Sequence, residues 1–356
     1  MSQFGFDPNN VNLTTADPAE IVCYLEASGD DYNGMLGARI SSIFVIFAIS
    51  TAVTFFPVLA KRAPKLRIPL YVYLFARYMG TGVIIATAFI HLLDPSYAEI
   101  GPNSCVGMTG NWAQYSWPPA ICLASAMFTF LLDLGAELYV EAKYGVEMTN
   151  MGAAIIENVT DAVSSERAEP MALHDEKKLP SYELTNLDSD EALKSFQQQI
   201  AAFLILEFGV IFHSVIIGLN LGVVGSEFTT LYPVLVFHQS FEGLGIGVRM
   251  STIPFRKGSW MPWIFCMLYG LTTPISIAIG LALRYTYNPN SYTANIAAGV
   301  LDATSAGILV YTGLVELLAR DFIFDPNRPK SRKRIAFMTG CTFAGAGIMA
   351  LIGKWA

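Results

Sequence analysis

Charge is scarce in this chain. Asp, Glu, Lys and Arg together make up 14% of its 356 residues, against 53% hydrophobic residues and a mean hydropathy of +0.45. So little charge cannot coat a soluble globular protein, and a polytopic membrane protein is predicted. The balance that remains is net −7, which argues against nucleic acid as a partner. The five cysteines form neither a CxxC pair nor a zinc-finger spacing, so no structural metal knuckle or redox motif is indicated. The chain has no GxxxxGK[ST] loop, which disfavours ATP-driven pumping. It also has no HExxH, which disfavours a membrane-embedded metal-dependent hydrolase. The opening MSQFGFDPNNVNL lacks the basic and apolar regions of a signal peptide, so the first membrane helix is expected to direct targeting.

What the chain does have is long apolar runs, and these predict an all-α bundle of eight transmembrane helices. Residues 1–36 read as a polar tail, 37–140 as spans 1 to 3, 141–198 as a variable polar loop, and 199–356 as spans 4 to 8. The spans are placed at about 38–60, 68–93, 117–140, 199–224, 231–250, 260–283, 294–318 and 335–355. Four Lys or Arg lie between spans 1 and 2, five between 3 and 4, three between 5 and 6 and six between 7 and 8, all on one side. The other side holds Arg39, Arg284 and Lys354, and Arg77 lies within span 2. The positive-inside rule therefore predicts both termini outside and the long loop in the cytosol. That topology makes Asn12, in Asn12-Leu13-Thr14, a usable glycosylation acceptor and leaves Asn158 a chance match. Cys23 and Cys105 then both face the oxidising side, which permits a disulfide without requiring one. Cys122, Cys266 and Cys341 read as small packing residues.

The chemistry concentrates between Gln199 and Met250. His213 falls in the middle of span 4, and His238 and Glu242 in the middle of span 5. Ionisable groups at bilayer depth are costly, about 2 to 3 kcal/mol each on insertion scales, so a cluster of three calls for a compensating partner. His238 and Glu242 are four apart, on one helix face. A five-residue turn makes spans 4 and 5 antiparallel neighbours, so His213 can join them near the midplane. A lone intramembrane His reads as a hydrogen-bonded packing residue; two with a matched carboxylate read as a divalent-metal site. That set suits zinc and also admits iron, manganese, cadmium or cobalt. Ser214 and Gln239, each next to a histidine, offer oxygen ligands for a weaker adjoining site, or else bond to backbone. Gly218, Gly222, Gly243, Gly245 and Gly247 allow close helix approach.

The segments HSVIIGLNLG and HQSFEGLGIG, with the ending TFAGAGIMALIGKWA, resemble the signatures of the ZIP (Zrt-, Irt-like protein) family of divalent-metal transporters. Within that family the chain is most similar to the fungal high-affinity plasma-membrane zinc transporters. The resemblance covers essentially the whole chain. It implies a transport site on His213, His238 and Glu242, no resident cofactor, and zinc uptake by alternating access in which spans 1, 4, 5 and 6 slide against 2, 3, 7 and 8. Bacterial relatives with a two-metal centre carry Asn, Glu and Asp where this chain has Ser214, Ile217 and Gln239, so one strong site beside a weaker polar one is expected. The family's His-rich cytosolic loop is reduced here to His174. Lys177, Lys178 and Lys194 are, by analogy, sites for ubiquitination machinery, and a homodimer is a further expected partnership beside the ion and the bilayer.

Other polar groups within the spans are expected along the ion's path. The resemblance places His91 and Asp94 at the entrance; an interfacial polar cap is the alternative. Asp133, Glu207 and Asp302 are acids in apolar runs, some of them pathway residues and some counter-ions to Arg77. Glu207, about 120° round the helix from His213, is expected to face away from the metal. Glu316, Arg320 and Asp321 mark the inner end of span 7, as an exit or a surface charge cluster. Pro233 and Pro274 are places for helix breaks. The readings from other classes are the embedded hydrolase and a metal sensor that binds without transport.

Overall fold

In a computed structural model the chain is described for residues 7–12, 14–27, 32–62, 69–144, 181–225, 227–256, 258–286, 288–324, 329 and 331–355. No strand occurs among the described residues. The helices are α1 (Pro18–Ala27), α2 (Leu36–Arg62), α3 (Leu70–Ile100), α4 (Trp117–Tyr144), α5 (Ser181–Val223), α6 (Phe228–Thr252), α7 (Met261–Leu283), α8 (Tyr292–Phe324) and α9 (Arg332–Ile352). Two compact units are present: residues 1–131 with 202–356, and residues 132–201. The smaller holds the end of α4, with Asp133, and the start of α5, with Lys194. His174, Lys177, Lys178 and Asn158 lie outside the described residues. All further geometry belongs to the larger unit.

Among the described residues seven helices are long and apolar enough to cross a membrane, and the chain is a multi-pass membrane protein. Besides the ten-residue α1, the exception is α6, which has the length, 25 residues, but carries His238, Gln239, Glu242 and Arg249. Its polar groups are affordable because they are turned inward: all but Arg249 of those four are almost fully buried.

Helix limits differ from the sequence expectation in an instructive way. Span 2 was expected to stop near Leu93, ahead of Pro95, yet α3 continues to Ile100. It does so by widening to π-helical winding over Thr87–Leu93, so that Pro95 falls in the first turn of a new α segment, where its missing N–H costs nothing. In α8 the winding likewise becomes π over Thr312–Phe324. The first π stretch carries His91 and the second carries Glu316, Arg320 and Asp321, in keeping with the concentration of such windings at functional positions. Pro233 and Pro274 lie inside α6 and α7, which run through them unbroken.

Packing sorts the helices into two groups. In one, α2 packs along α6 and α7, and α5 lies against α7 where a Cβ on Gly222 would stand 2.9 Å from Gly280 Cα. In the other, α3 packs along α8 and α9, and α4 meets α8, with Ser125 Oγ donating to the Thr304 carbonyl at 2.6 Å. The groups touch where α3 crosses α6: a Cβ on Gly80 would come within 2.5 Å of Gly245 Cα. Only paired glycines admit that approach. Gly245→Leu is therefore expected to lower thermal stability in detergent by about 1 to 3 kcal/mol, the overpacking range. A melt unchanged from wild type would show that the crossing yields freely.

Arg39 is fully buried, and its position follows from the end of α5. Its guanidinium donates to the carbonyls of Leu221 (3.0 Å), Gly222 (3.3 Å) and Val224, and to Gly34 (2.9 Å), and it stacks 4.4 Å over the Phe228 ring. Those carbonyls are the unsatisfied, partly negative end of the helix, so a cation completes them. Arg39→Ala leaves buried acceptors unpaired, and thermal denaturation should register a loss of about 3 kcal/mol. Lysine, with one point of charge for several acceptors, should recover only part of it.

Candidate metal site

His213 comes from the middle of α5, and His238 and Glu242 come from one face of α6. Their ligand atoms lie within 4.8 Å of one another. His213 Nε2 stands 3.1 Å from His238 Nε2, and His238 Nε2 stands 3.2 Å from Glu242 Oε1. All three residues are almost fully buried, at 3%, 1% and 1% exposure. It is the one cluster of three or more His, Cys, Asp or Glu of ligand geometry among the described residues.

The chemistry of the donors decides what the cluster can hold. Two imidazole nitrogens and a carboxylate oxygen point into one small volume, each presenting a lone pair when the rings are neutral there. A single proton on His238 Nε2 can serve only one neighbour, and the other lone pairs remain opposed. Glu242 Oε1 has His238 Nε2 at 3.2 Å, whereas among the described residues no donor satisfies Glu242 Oε2, and His238 Nδ1 is likewise without a partner. Ser214 Oγ and Gln239 Nε2, both buried, are also unpartnered beside the two histidines. Opposed lone pairs in a low-dielectric interior are costly, and a divalent cation satisfies those of His213, His238 and Glu242 together.

His91 was expected at an entrance, and the structure brings it closer. Its ring stands perpendicular to His238 with centroids 4.8 Å apart, and its Nε2 bonds the Met349 carbonyl of α9 at 3.2 Å. With Nε2 held as the donor, Nδ1 carries the lone pair. Asp94 is exposed and outside the cluster. Asp133, in the smaller unit, belongs to no such cluster. Glu207 is buried with neither oxygen partnered and stands outside the three-residue set. Asp302 is buried in α8 with Oδ1 unpartnered, within Coulombic reach of Glu99 near the end of α3.

Glu99 escaped the sequence reading because span 2 was expected to end six residues earlier. It lines a polar cavity of about 410 Å³ together with Glu26, Asn220, Glu227, Asn290 and Asn295. Glu26 reaches that cavity because Cys23 and Cys105 are joined in a disulfide, which ties α1 to the loop after α3. The Cys105 N–H donates to Glu26 Oε1 at 2.9 Å, and Asn295 Nδ2 donates to Oε2 at 3.4 Å. Burial raises the Glu26 carboxyl above its ordinary value, and the Cys105 N–H partly offsets this.

At the far end of α8, Arg77 is paired with Asp321 through two parallel hydrogen bonds, Nε to Oδ2 at 3.0 Å and Nη2 to Oδ1 at 2.7 Å. Arg320 bonds Glu316, and Arg249 donates to the Glu316 carbonyl at 3.2 Å. Asp321 is thus the counter-ion that Arg77 required.

The family model described as ZIP Zinc transporter matches residues 36–353, the span that runs from α2 to the end of α9. The chain belongs to the ZIP zinc transporter family. Among its relatives is Zinc-regulated transporter 1 of Saccharomyces cerevisiae, 57% identical across 99% of this chain and 97% of that protein. Zinc-regulated transporter 1 of Schizosaccharomyces pombe is 40% identical across 95% and 90%, and Zinc-regulated transporter 2 of S. cerevisiae 32% across 97% and 100%. A ZIP protein is a transporter rather than an enzyme, and zinc is the transported substrate.

Proposed function

We propose that this ZIP protein takes up Zn²⁺ across the plasma membrane into the cytosol, without ATP, through the His213, His238 and Glu242 site. The observation that carries the reading is the convergence of ligand atoms from three buried residues within 4.8 Å, with Glu242 Oε2 left without a donor. The names of the relatives give zinc as the ion.

The proposed topology has eight spans, α6 being the eighth, with both termini outside and residues 141–198 in the cytosol. The cysteine pair supports this sidedness, since a disulfide belongs to an oxidising compartment. Asn12 is then outside as a glycan acceptor; its Oδ1 accepts from Thr14 N at 3.0 Å and Thr14 Oγ1 at 2.7 Å. Ubiquitination in the loop and a homodimer belong to the same reading.

The ion's course follows from the polar groups. It would enter through the cavity of Glu26 and Glu99, pass Asp302, and settle on the midplane ligands with His91 and the unpartnered Ser214 and Gln239 as adjoining donors. It would leave past the Arg77–Asp321 pair. The two helix groups support a sliding mechanism: α2, α5, α6 and α7 hold together, α3, α4, α8 and α9 hold together, and the glycine crossing between them has no side chain to interlock. An inside-negative potential adds about 2.3 kcal/mol per charge per 100 mV, so a dication gains roughly twice that on its way inward.

Liposomes holding the purified chain and a trapped zinc indicator test this. Saturable ATP-independent influx that responds to membrane potential is expected, with Fe²⁺ and Mn²⁺ as competitors to set selectivity. Protein that binds zinc and passes none would overturn the carrier in favour of a sensor.

A further inference from the structure

At the end of the bundle where α2 and α6 finish and α3 begins, two cavities adjoin. One, of about 520 Å³, is lined by Lys61, Arg62 and Arg256, all exposed, with Ser251 and Phe255 among its walls. The other, of about 510 Å³, is apolar and lined by Phe56, Leu70, Val72, Leu244 and Val248. Lys61 and Ser251 line both, so the basic pocket opens into the apolar groove. Neither lining includes a carboxylate.

These cations have capacity to spare. Lys61 Nζ donates to the Ser251 carbonyl, which uses one of its three protons. The Arg62 guanidinium reaches the Ser259 carbonyl at 3.3 Å and lies 5.0 Å over the Trp263 ring, which orients its fork without filling it. The groove beside them faces outward: Phe56, Leu70 and Val72 are each about half exposed. From Leu244 to Ser251 the wall on α6 rises roughly 10 Å at 1.5 Å per residue, the reach of a glycerol backbone and the upper part of an acyl chain. Trp260, strongly exposed at the same end, is the kind of residue that sits at the headgroup level. A free anion would fill the pocket and leave the groove empty, whereas an amphiphile with a negative head matches both.

We propose that this double cavity binds an anionic phospholipid, its phosphate held by Lys61, Arg62 and Arg256 and an acyl chain lying between α3 and the α2–α6 pair. The groove lies on the seam between the two helix groups, so the lipid touches both. The leaflet rests on the orientation proposed above, where the cytosolic leaflet supplies anionic lipid; the binding itself does not depend on it.

The test reads lipid retention rather than transport, so its failure is separate from failure of the carrier reading. The full chain, purified in mild detergent, is incubated with phosphatidylserine or phosphatidylcholine of matched chains and weighed intact by native mass spectrometry. One phosphatidylserine per chain is expected, preferred by about tenfold or more, given the typical contribution of each basic residue near an anionic lipid. The triple variant K61Q/R62Q/R256Q should erase that preference, while R332Q/K333Q/R334Q, at the start of α9, should keep it. Ala76→Phe, which fills the groove and leaves the cations in place, should weaken retention too and covers the case in which the triple variant fails to fold. Equal loss in both triple variants would overturn the proposal in favour of general surface charge. Equal retention of the two lipids, or displacement of phosphatidylserine by inorganic phosphate at millimolar concentration, would overturn it as well.

Discussion

Replacing Glu242 with Gln, or either His213 or His238 with Ala, is expected to lower zinc influx at limiting zinc by about a hundredfold or more, while the protein stays folded. Losing a group that merely orients a ligand typically costs 10- to 100-fold in metal affinity, and these residues supply the donor atoms themselves. The three also act as one unit, so double substitutions should add little to single ones. Gln at position 242 keeps the shape and removes the charge, leaving two neutral imidazoles to hold a dication in a dry interior. Stability should move the other way. Without zinc, the opposed lone pairs of His213, His238 and Glu242 are a liability, so removing one should leave the melting temperature of the metal-free protein unchanged or raised. Zinc should stabilise wild type and fail to stabilise the variants. Influx retained near wild type in any of the three variants would remove the site from the path.

The second large effect belongs to the end of α8 that carries Asp321. Asp321→Arg places a cation beside Arg77, with Arg249 and Arg320 in the same charge cluster. Breaking a largely buried, bidentate pair costs about 3 kcal/mol, and like charge adds to it. Uptake should fall by at least about tenfold, since 1.4 kcal/mol already corresponds to that factor. The informative variant is the exchange Arg77→Asp with Asp321→Arg, which restores opposite signs across α3 and α8. Recovery should be partial, because Asp321 also balances the half-buried Arg249, and the exchange moves that balance to another helix. Substrate affinity should change little while the maximal rate changes, as the pair lies away from the three ligands. A double variant no better than the singles would show that the pair's role is not its charge complementarity.

Several features were readable before any coordinates because they depend on spacing along a helix or on bulk composition. Apolar runs of span length, the four-residue interval from His238 to Glu242 and the short link to the helix of His213 require only helical geometry and the cost of polar groups in lipid. The segments HSVIIGLNLG and HQSFEGLGIG carried the resemblance to the ZIP family, which the family match bears out. The segment of α6 also reads as an apolar run of span length, although its composition falls short of that of the seven helices that qualify among the described residues.

What the chain alone could not settle were contacts between helices far apart in sequence. Arg77 needed an acid, and Asp133, Glu207 and Asp302 were the candidates; packing instead selected Asp321, 244 positions away, which had read as part of an exit or a surface charge cluster. Span 2 was expected to end near Leu93, and the π winding that carries α3 on to Glu99 is a three-dimensional accommodation with no pattern in hydropathy. His91 lay at a helix end in sequence, and it became a neighbour of His238 because α3 crosses α6 at paired glycines. The cysteines permitted a bond, and the fold brought them together and with them Glu26. By itself the sequence determined which residues are costly in a membrane and on which helix faces they lie, because insertion energy and the 3.6-residue repeat are local. Which of those residues meet was decided by tertiary structure, because partner choice depends on how helices cross, and that is set by side chains distributed over the whole chain.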